Sequence, residues 1–176
     1  MKLTSQKLLL TTAGTIAAMV AMSSFVHPFG DPRQVVPGGG QILAGAGIPT
    51  TIREIVERKC VNCHSEAVEW PIYSRIAPVS WLLEHDVTEA RAHMNLSRWA
   101  SYSGDEKLSL LTKLGAKSRS GEMPPLRYTI IHRDATLTQT EQDALYEWTK
   151  TERNRLTKVK STTMPSDGSS SRIYQE

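Results

Sequence analysis

Cysteine is scarce in this chain of 176 residues, which has only two, and aromatic residues are few, at 6%. No cysteine is left over outside that pair for a disulfide, which excludes the cross-linked scaffolds of small secreted domains. A strong charge of one sign is also lacking: the formal net charge is +3, and removing the two lysines that precede residue 28 leaves +1. That balance does not indicate a nucleic-acid-binding protein, which would carry a clustered basic surface. The length fits one domain with some extra sequence.

Both cysteines fall within one pentapeptide, Cys60-Val61-Asn62-Cys63-His64. The C-x-x-C-H pattern is the signature of covalent haem c attachment. Two thiols three positions apart lie on neighbouring faces of one helical turn, where they can add to two vinyl groups on one porphyrin edge. His64 follows at once and can donate a ring nitrogen to the iron as proximal ligand. We therefore expect one haem c, held covalently through Cys60 and Cys63.

Two other interpretations of the cysteine pair are weaker. A zinc site needs four ligands and usually has a second pair of cysteines or histidines. A thiol–disulfide redox motif needs a preceding strand in a βαβ context. The sequence favours haem over both.

Residues 1–27 have the layout of a secretory segment. Lys2 and Lys7 make a basic start, and residues 8–26 carry no charge. This run is about as long as a membrane-spanning helix, although threonines, serines and Gly14 dilute it. The segment is either a cleaved signal peptide or an uncleaved membrane anchor, and the poor cleavage site slightly favours the anchor. Both place the haem motif on the periplasmic side of the inner membrane.

Composition divides the rest of the chain into three parts. Residues 28–49 hold four prolines and three consecutive glycines, which predicts a linker unable to bury enough apolar surface to fix itself. Residues 50–157 carry the helical signals of one domain. Residues 158–176 are polar and uneven, which predicts a disordered tail.

Helix signals recur through residues 50–157 and predict an all-α fold. Thr50 or Thr51 can cap a first helix, Pro78 can open a helix that runs to about His93, and capping boxes start at Ser103 and Thr138. The first and last helices carry apolar stripes, and the resemblance of the C-x-x-C-H motif to that of cytochrome c domains implies that these two helices cross near the haem. The contacts expected at that crossing are Ile52, Val56, Leu145 and Trp148.

A longer pattern follows the cysteine motif. Residues 70–81 read W-P-I-Y-S-R-I-A-P-V-S-W. Further on come His85-Asp86-Val87, Asn95-Leu96-Ser97-Arg98-Trp99 and Met123-Pro124-Pro125. Together these segments resemble the bacterial haem-binding-domain family of monohaem c-type cytochromes, over roughly residues 52–148. The chain departs from the family pattern at Ala90, where glycine is usual, and at residues 94–96.

The resemblance implies a cytochrome c-like helical domain wrapped around one covalent haem and preceded by an N-terminal membrane or signal helix. Because the family is known chiefly as haem-binding, it supports the cofactor and the fold more than a physiological role. Trp70, Tyr73 and Trp81 are expected at the haem edge, either as plain core residues or as hydrogen-bond donors to a propionate. Arg75 and Arg91 are candidate propionate partners.

The distal iron ligand is expected to be Met123, which two prolines follow. Proline rigidity fixes the loop, and a soft thioether suits ferrous iron. The chief alternative is His132. Met94 is a weaker rival, and His85 and His93 remain further candidates.

These features predict an electron carrier rather than an enzyme: a monohaem cytochrome with both axial positions filled, by His64 and Met123. It would need redox partner proteins, or a membrane respiratory or photosynthetic complex of which it is a subunit. The alternative is a haem enzyme or gas sensor with an open or displaceable distal position. Histidines 85, 93 or 132 would then serve as acid–base groups.

Overall fold

The computed structural model of the chain describes residues 2–33 and 40–163. Seven α-helices follow one another in these ranges: α1 (Lys2–Ser23), α2 (Thr50–Lys59), α3 (Val61–His64), α4 (Val79–His93), α5 (Gly104–Arg119), α6 (Leu126–Thr129) and α7 (Gln139–Thr163). Short 3-10 helices cover Ile72–Arg75, Leu96–Ser101 and Arg133–Ala135. The described ranges contain no strand, so the all-α prediction is confirmed.

The capping boxes predicted from the sequence are both present. The Ser103 amide donates to Glu106 Oε2 at 2.7 Å, and the Glu106 amide donates to Ser103 Oγ at 3.2 Å, which starts α5. Thr138 and Glu141 make the same reciprocal bonds at 2.9 and 3.2 Å at the start of α7. The expected threonine cap of α2 is wrong, because Pro49 occupies the cap position and makes no side-chain bond.

The hydrophobic core lies between α2, α5 and α7. Its buried members are Leu43, Ile52, Ile55, Val56, Leu96, Trp99, Leu110, Leu111, Leu114, Leu137, Leu145 and Trp148. The predicted crossing of the first and last domain helices is confirmed, since all four expected residues belong to this cluster. Gly115 allows α5 and α7 to approach closely: a Cβ there would lie 2.5 Å from Thr149 Oγ1.

The linker prediction is wrong for residues 40–49, which pack into the domain. Leu43 is only 1% exposed, and its amide donates to Leu96 O at 3.0 Å. The Gly47 amide donates to buried Glu152 Oε1 at 3.1 Å, and Gly47 O accepts from Trp148 Nε1 at 3.0 Å. Composition did not indicate this packing, because a few apolar side chains and backbone hydrogen bonds are enough to fix a short segment.

The two ends of the chain also differ from expectation. Helix α7 continues to Thr163, so the tail prediction is wrong for residues 158–163, and residues 164–176 lie outside the described ranges. At the other end α1 is helical as predicted. Within the described residues, however, no helix has both the length and the apolar character of a membrane span. The anchor interpretation therefore lacks support, for which the threonines, serines and glycine of α1 give the physical reason.

Leu43→Ala should lower the free energy of unfolding by about 2–5 kcal/mol, because it leaves a cavity in a closely packed core. Urea unfolding followed by circular dichroism measures the change. Val159→Ala on the exposed side of α7, where Val159 is 53% exposed, is the control and should change stability by less than about 0.5 kcal/mol. Equal effects of the two variants would restore the linker interpretation.

Candidate functional site

The cysteine motif forms a single helical turn. Cys60 ends α2 with its amide bonded to Val56 O at 2.9 Å, and α3 then brings the His64 amide to 3.0 Å from Cys60 O. Both cysteines are free and partly exposed. The turn therefore presents two thiols and one imidazole together, as the sequence predicts.

The His64 imidazole is oriented by the backbone. Its Nδ1 lies 3.0 Å from Met94 O, and a carbonyl can only accept, so Nδ1 carries the hydrogen. Burial lowers the pKa of His64, partly offset by hydrogen bonds to the Met94 and Ala90 backbone, and so favours the neutral ring. Nε2 is left with a lone pair able to bind iron. The Met94 backbone thus belongs to the proximal side, which disfavours Met94 as a distal ligand.

A half-open cavity of about 370 Å³ lies beside the motif. Its walls come from the end of α2, the motif, the segment after it, α4, α6 and the residues after α6. The lining residues are Arg58, Asn62, Cys63, Val68, Glu69, Trp70, Pro71, Tyr73, Leu83, Val87, Tyr128, His132, Asp134 and Ala135. A cavity of this size with aromatic and apolar walls and a few polar groups is typical of a ligand site.

Two tyrosines fix His132 at the cavity wall. Tyr73 Oη lies 2.5 Å from His132 Nε2, and the Tyr128 ring stacks on the imidazole with centroids 4.4 Å apart. Burial raises the pKa of Tyr128, and the Tyr73 pKa is raised for the same reason. The phenol of Tyr73 therefore stays protonated and is able to donate to His132.

Met123 lies on an open loop after α5. Its amide donates to Lys117 O at 3.2 Å, its residue surface is 43% exposed, and a cis bond joins it to Pro124. It is not among the described residues that line the cavity. The structure therefore brings His132, but not Met123, to the cavity wall.

The other candidate cofactor contacts separate into two groups. Trp70 and Tyr73 line the cavity as predicted. Trp81 instead donates its indole N–H to Val26 O at 2.7 Å. Arg91 donates to Ser65 O at 2.9 Å, so both it and Trp81 bind protein carbonyls rather than an open site.

The remaining candidates are exposed or lie elsewhere. Arg75 is exposed at the end of its 3-10 helix. His85 packs edge-on against Phe29 with centroids 5.0 Å apart, and His93 lies on the surface 3.8 Å from Glu89. Neither histidine lines the cavity.

Sequence reasoning missed Asn62, Leu83 and Tyr128 as wall residues. Leu83 and Val87 are four positions apart on α4, so their spacing placed them on one face. Asn62 lies inside the motif and accepts from the Glu69 amide at 3.2 Å, which closes the turn after it. Tyr128 had no signal in the sequence, because its role depends on contacts with residues far along the chain.

The thiols lie in a site that favours their protonated form. Burial, reinforced by Cys63, raises the pKa of Cys60 to about 12, and burial together with Asp86 raises the pKa of Cys63 to about 11. Two free thiols, an imidazole whose Nε2 carries the lone pair and a cavity that Cys63 lines make a donor set that fits a haem. Among the described residues, no three His, Cys, Asp or Glu side chains are grouped so that they could hold a bare metal ion.

Comparison with known proteins gives one match. Residues 18–151, more than half of the chain, match the family model described as the haem-binding domain. A search of curated proteins and a search of solved structures each found no match.

In the chain expressed without haem, alkylation of both cysteines at pH 8 should be about 100- to 1000-fold slower than in urea. The reason is the thiolate fraction, which falls tenfold for each unit by which the pKa exceeds its ordinary value of 9.0. Iodoacetamide labelling followed by mass spectrometry measures both rates. Equal rates in the native and the urea-unfolded chain would contradict the buried arrangement of the motif.

Proposed function

We propose that this chain, which belongs to the haem-binding domain family, is a monohaem c-type cytochrome that carries single electrons. The observation that carries the proposal is the single turn that holds Cys60, Cys63 and His64 together, with Cys63 lining the cavity. When bound, the haem supplies a one-electron ferric–ferrous couple. The task of the chain is then to hold the group, set its potential and limit access to water.

Burial protects the two thiols from oxidation before haem attachment. High pKa values keep them protonated, which suppresses oxidation to a disulfide before the haem arrives. His64 is favoured as a neutral ring with Nε2 bare, so no proton has to leave before it binds iron. Both features suit a haem c site.

For the distal position we propose Met123. The thioether of Met123 accepts only weak hydrogen bonds, so turning it toward the cavity breaks no strong bond. His132 would have to release the hydroxyl of Tyr73, at a net cost of about 0.5–1.5 kcal/mol. With His64 and Met123 both bound, the iron has no open position for substrate, which favours a carrier over an enzyme.

A haem enzyme or gas sensor is the second candidate. The observation that favours it is the Tyr73–His132 pair at the cavity wall, 2.5 Å apart, which could act on a molecule bound at an open distal position. Under this alternative Met123 stays on the surface.

We place the protein on the periplasmic side of the membrane, where bacteria attach haem c, with redox proteins or a membrane electron-transfer complex as partners. Exposed apolar residues adjoin the cavity-lining segments in the chain: Ile72 is 87% exposed, Ile130 63% and Ile131 67%. Apolar side chains next to a haem edge suit transient docking of a redox partner.

Protein matured with haem-ligation machinery should stay coloured after acid–acetone extraction, because two thioether bonds hold the pigment. The Cys60→Ser/Cys63→Ser variant should lose its colour in the same extraction, while His93→Ala, an exposed histidine outside the cavity, should keep it. The pyridine haemochrome spectrum counts the thioether bonds. Extraction of the pigment from the wild-type chain would contradict covalent attachment.

Met123→Ala should abolish the far-red charge-transfer band of the ferric protein, because methionine ligation produces that band. His132→Ala should leave it in place, with His93→Ala as the matched histidine control. If the band is absent from the wild type and the low-spin signal disappears only in His132→Ala, the distal ligand is His132. A wild-type iron that is high-spin and binds carbon monoxide readily would favour the enzyme or sensor.

A further inference from the structure

Residues 24–33, named here the N-terminal strap, lie along α4. Near its start, Val26 O accepts from the Trp81 indole at 2.7 Å, and near its end Pro32 O accepts from Arg91 Nη1 at 2.8 Å. Val26 and Pro32 follow the same order as their partners, so the strap runs parallel to α4. It covers the helix over nearly three turns.

Further strap residues contact α4 and the segment just before it. The Phe29 ring packs edge-on against the His85 ring with centroids 5.0 Å apart, and Phe29 O accepts from Thr88 Oγ1 at 3.5 Å. Ser24 Oγ accepts from the Ala77 amide at 3.4 Å, just before α4 begins. The strap is therefore attached at both ends and in the middle.

Arg33, the last residue of the strap, makes several polar contacts. Its Nη1 donates to Glu84 Oε1 at 2.6 Å, and its Nη2 donates to Ser74 O. Its guanidinium also lies over the Trp70 ring, with Cζ 4.7 Å from the centroid. One side chain thus joins the strap, α4, the 3-10 helix Ile72–Arg75 and a cavity wall.

The fold requires the contact between Arg33 and Glu84. Glu84 is 0% exposed, and a buried carboxylate without a cation is strongly destabilising. The Nδ1 atom of His27, which is also a strap residue, lies 2.9 Å from the same Oε1 atom of Glu84. Glu84 Oε2 has no hydrogen-bond partner among the described residues, so the charge depends on what the strap supplies at Oε1.

The strap also reaches the proximal side of the site. Arg91, which donates to Pro32 O through Nη1, donates through Nε to Ser65 O at 2.9 Å. Ser65 directly follows His64. The strap therefore contacts the segments on both sides of the cavity, through Arg33 at Trp70 and through Arg91 at the end of the motif.

We infer that the N-terminal strap braces the wall of the haem site and that Arg33 is a positioning residue, which holds Trp70 and the turn that carries Tyr73 against the cavity. The assignment of this cavity to the haem rests on the proposed function. The strap and its contacts with α4 are independent of the proposed function. The inference implies that the exported protein retains these residues, so any removal of a leader ends before the strap.

Hydrogen exchange of the full chain tests the inference with a matched pair of variants. Arg33→Gln removes the charge and the contact with Trp70, and should speed amide exchange in residues 24–33 and 70–76. Arg119→Gln is the control, because Arg119 lies over the Tyr146 ring at 4.3 Å, away from the cavity, and it should leave those segments unchanged. Equal exchange in these segments for the two variants overturns the inference.

Arg33→Lys keeps the test decisive if Arg33→Gln does not fold. Its ammonium still pairs with Glu84 but cannot form the planar fork that also reaches Ser74 O. We expect a folded protein with faster exchange confined to residues 70–76. Wild-type exchange in Arg33→Lys would show that the fork does not hold this segment, and would overturn the role of Arg33.

The midpoint potential of the holoprotein separates positioning from mere stability. Arg33→Gln should shift it downward relative to Arg119→Gln, because a looser wall admits water and the nearby positive charge is gone. No shift between the two variants would overturn the positioning role. A wild type without covalent haem would instead contradict the proposed function. Hydrogen exchange would still test the role of the strap in that case.

Intact mass of the exported protein gives an independent result. A first residue at or before Ser24 preserves the whole strap and agrees with the inference. A first residue after Ser24 overturns it.

Discussion

The site depends on one hydrogen bond, from Nδ1 of His64 to Met94 O. It fixes the tautomer of the ring, and thereby decides which nitrogen is free to bind a metal. Since Met94 follows directly after α4, the bond also ties the position of the motif to that helix. Helix α4 in turn supplies Leu83 and Val87 to the cavity wall, so the proximal imidazole and the wall share one support.

Local signals in the sequence were sufficient where the structure is local. The capping boxes at Ser103 and Thr138 were predicted because both partners lie within four residues, and the motif was predicted because its chemistry fits in one turn. The crossing of α2 and α7 was also predictable, since a helix with one apolar stripe must bury it against another.

Long-range partners could not be predicted, because nothing in the local pattern identifies them. Trp81 and Arg91 looked like cofactor contacts, yet they bind carbonyls of residues more than twenty positions away. Leu43 was assigned to the linker because residues 28–49 are rich in glycine and proline. Tyr128 joined the wall through ring stacking with His132, which depends on how the chain folds after α6.

The contacts of Glu84 have a practical consequence for recombinant work. A shortened gene that starts at Thr50, the first residue of α2, would encode every residue of the haem motif and of the cavity wall. It would also leave an anionic side chain inside the protein with neither His27 nor Arg33 opposite it. The boundary for joining a foreign leader therefore lies between Ser23, the last residue of α1, and Ser24.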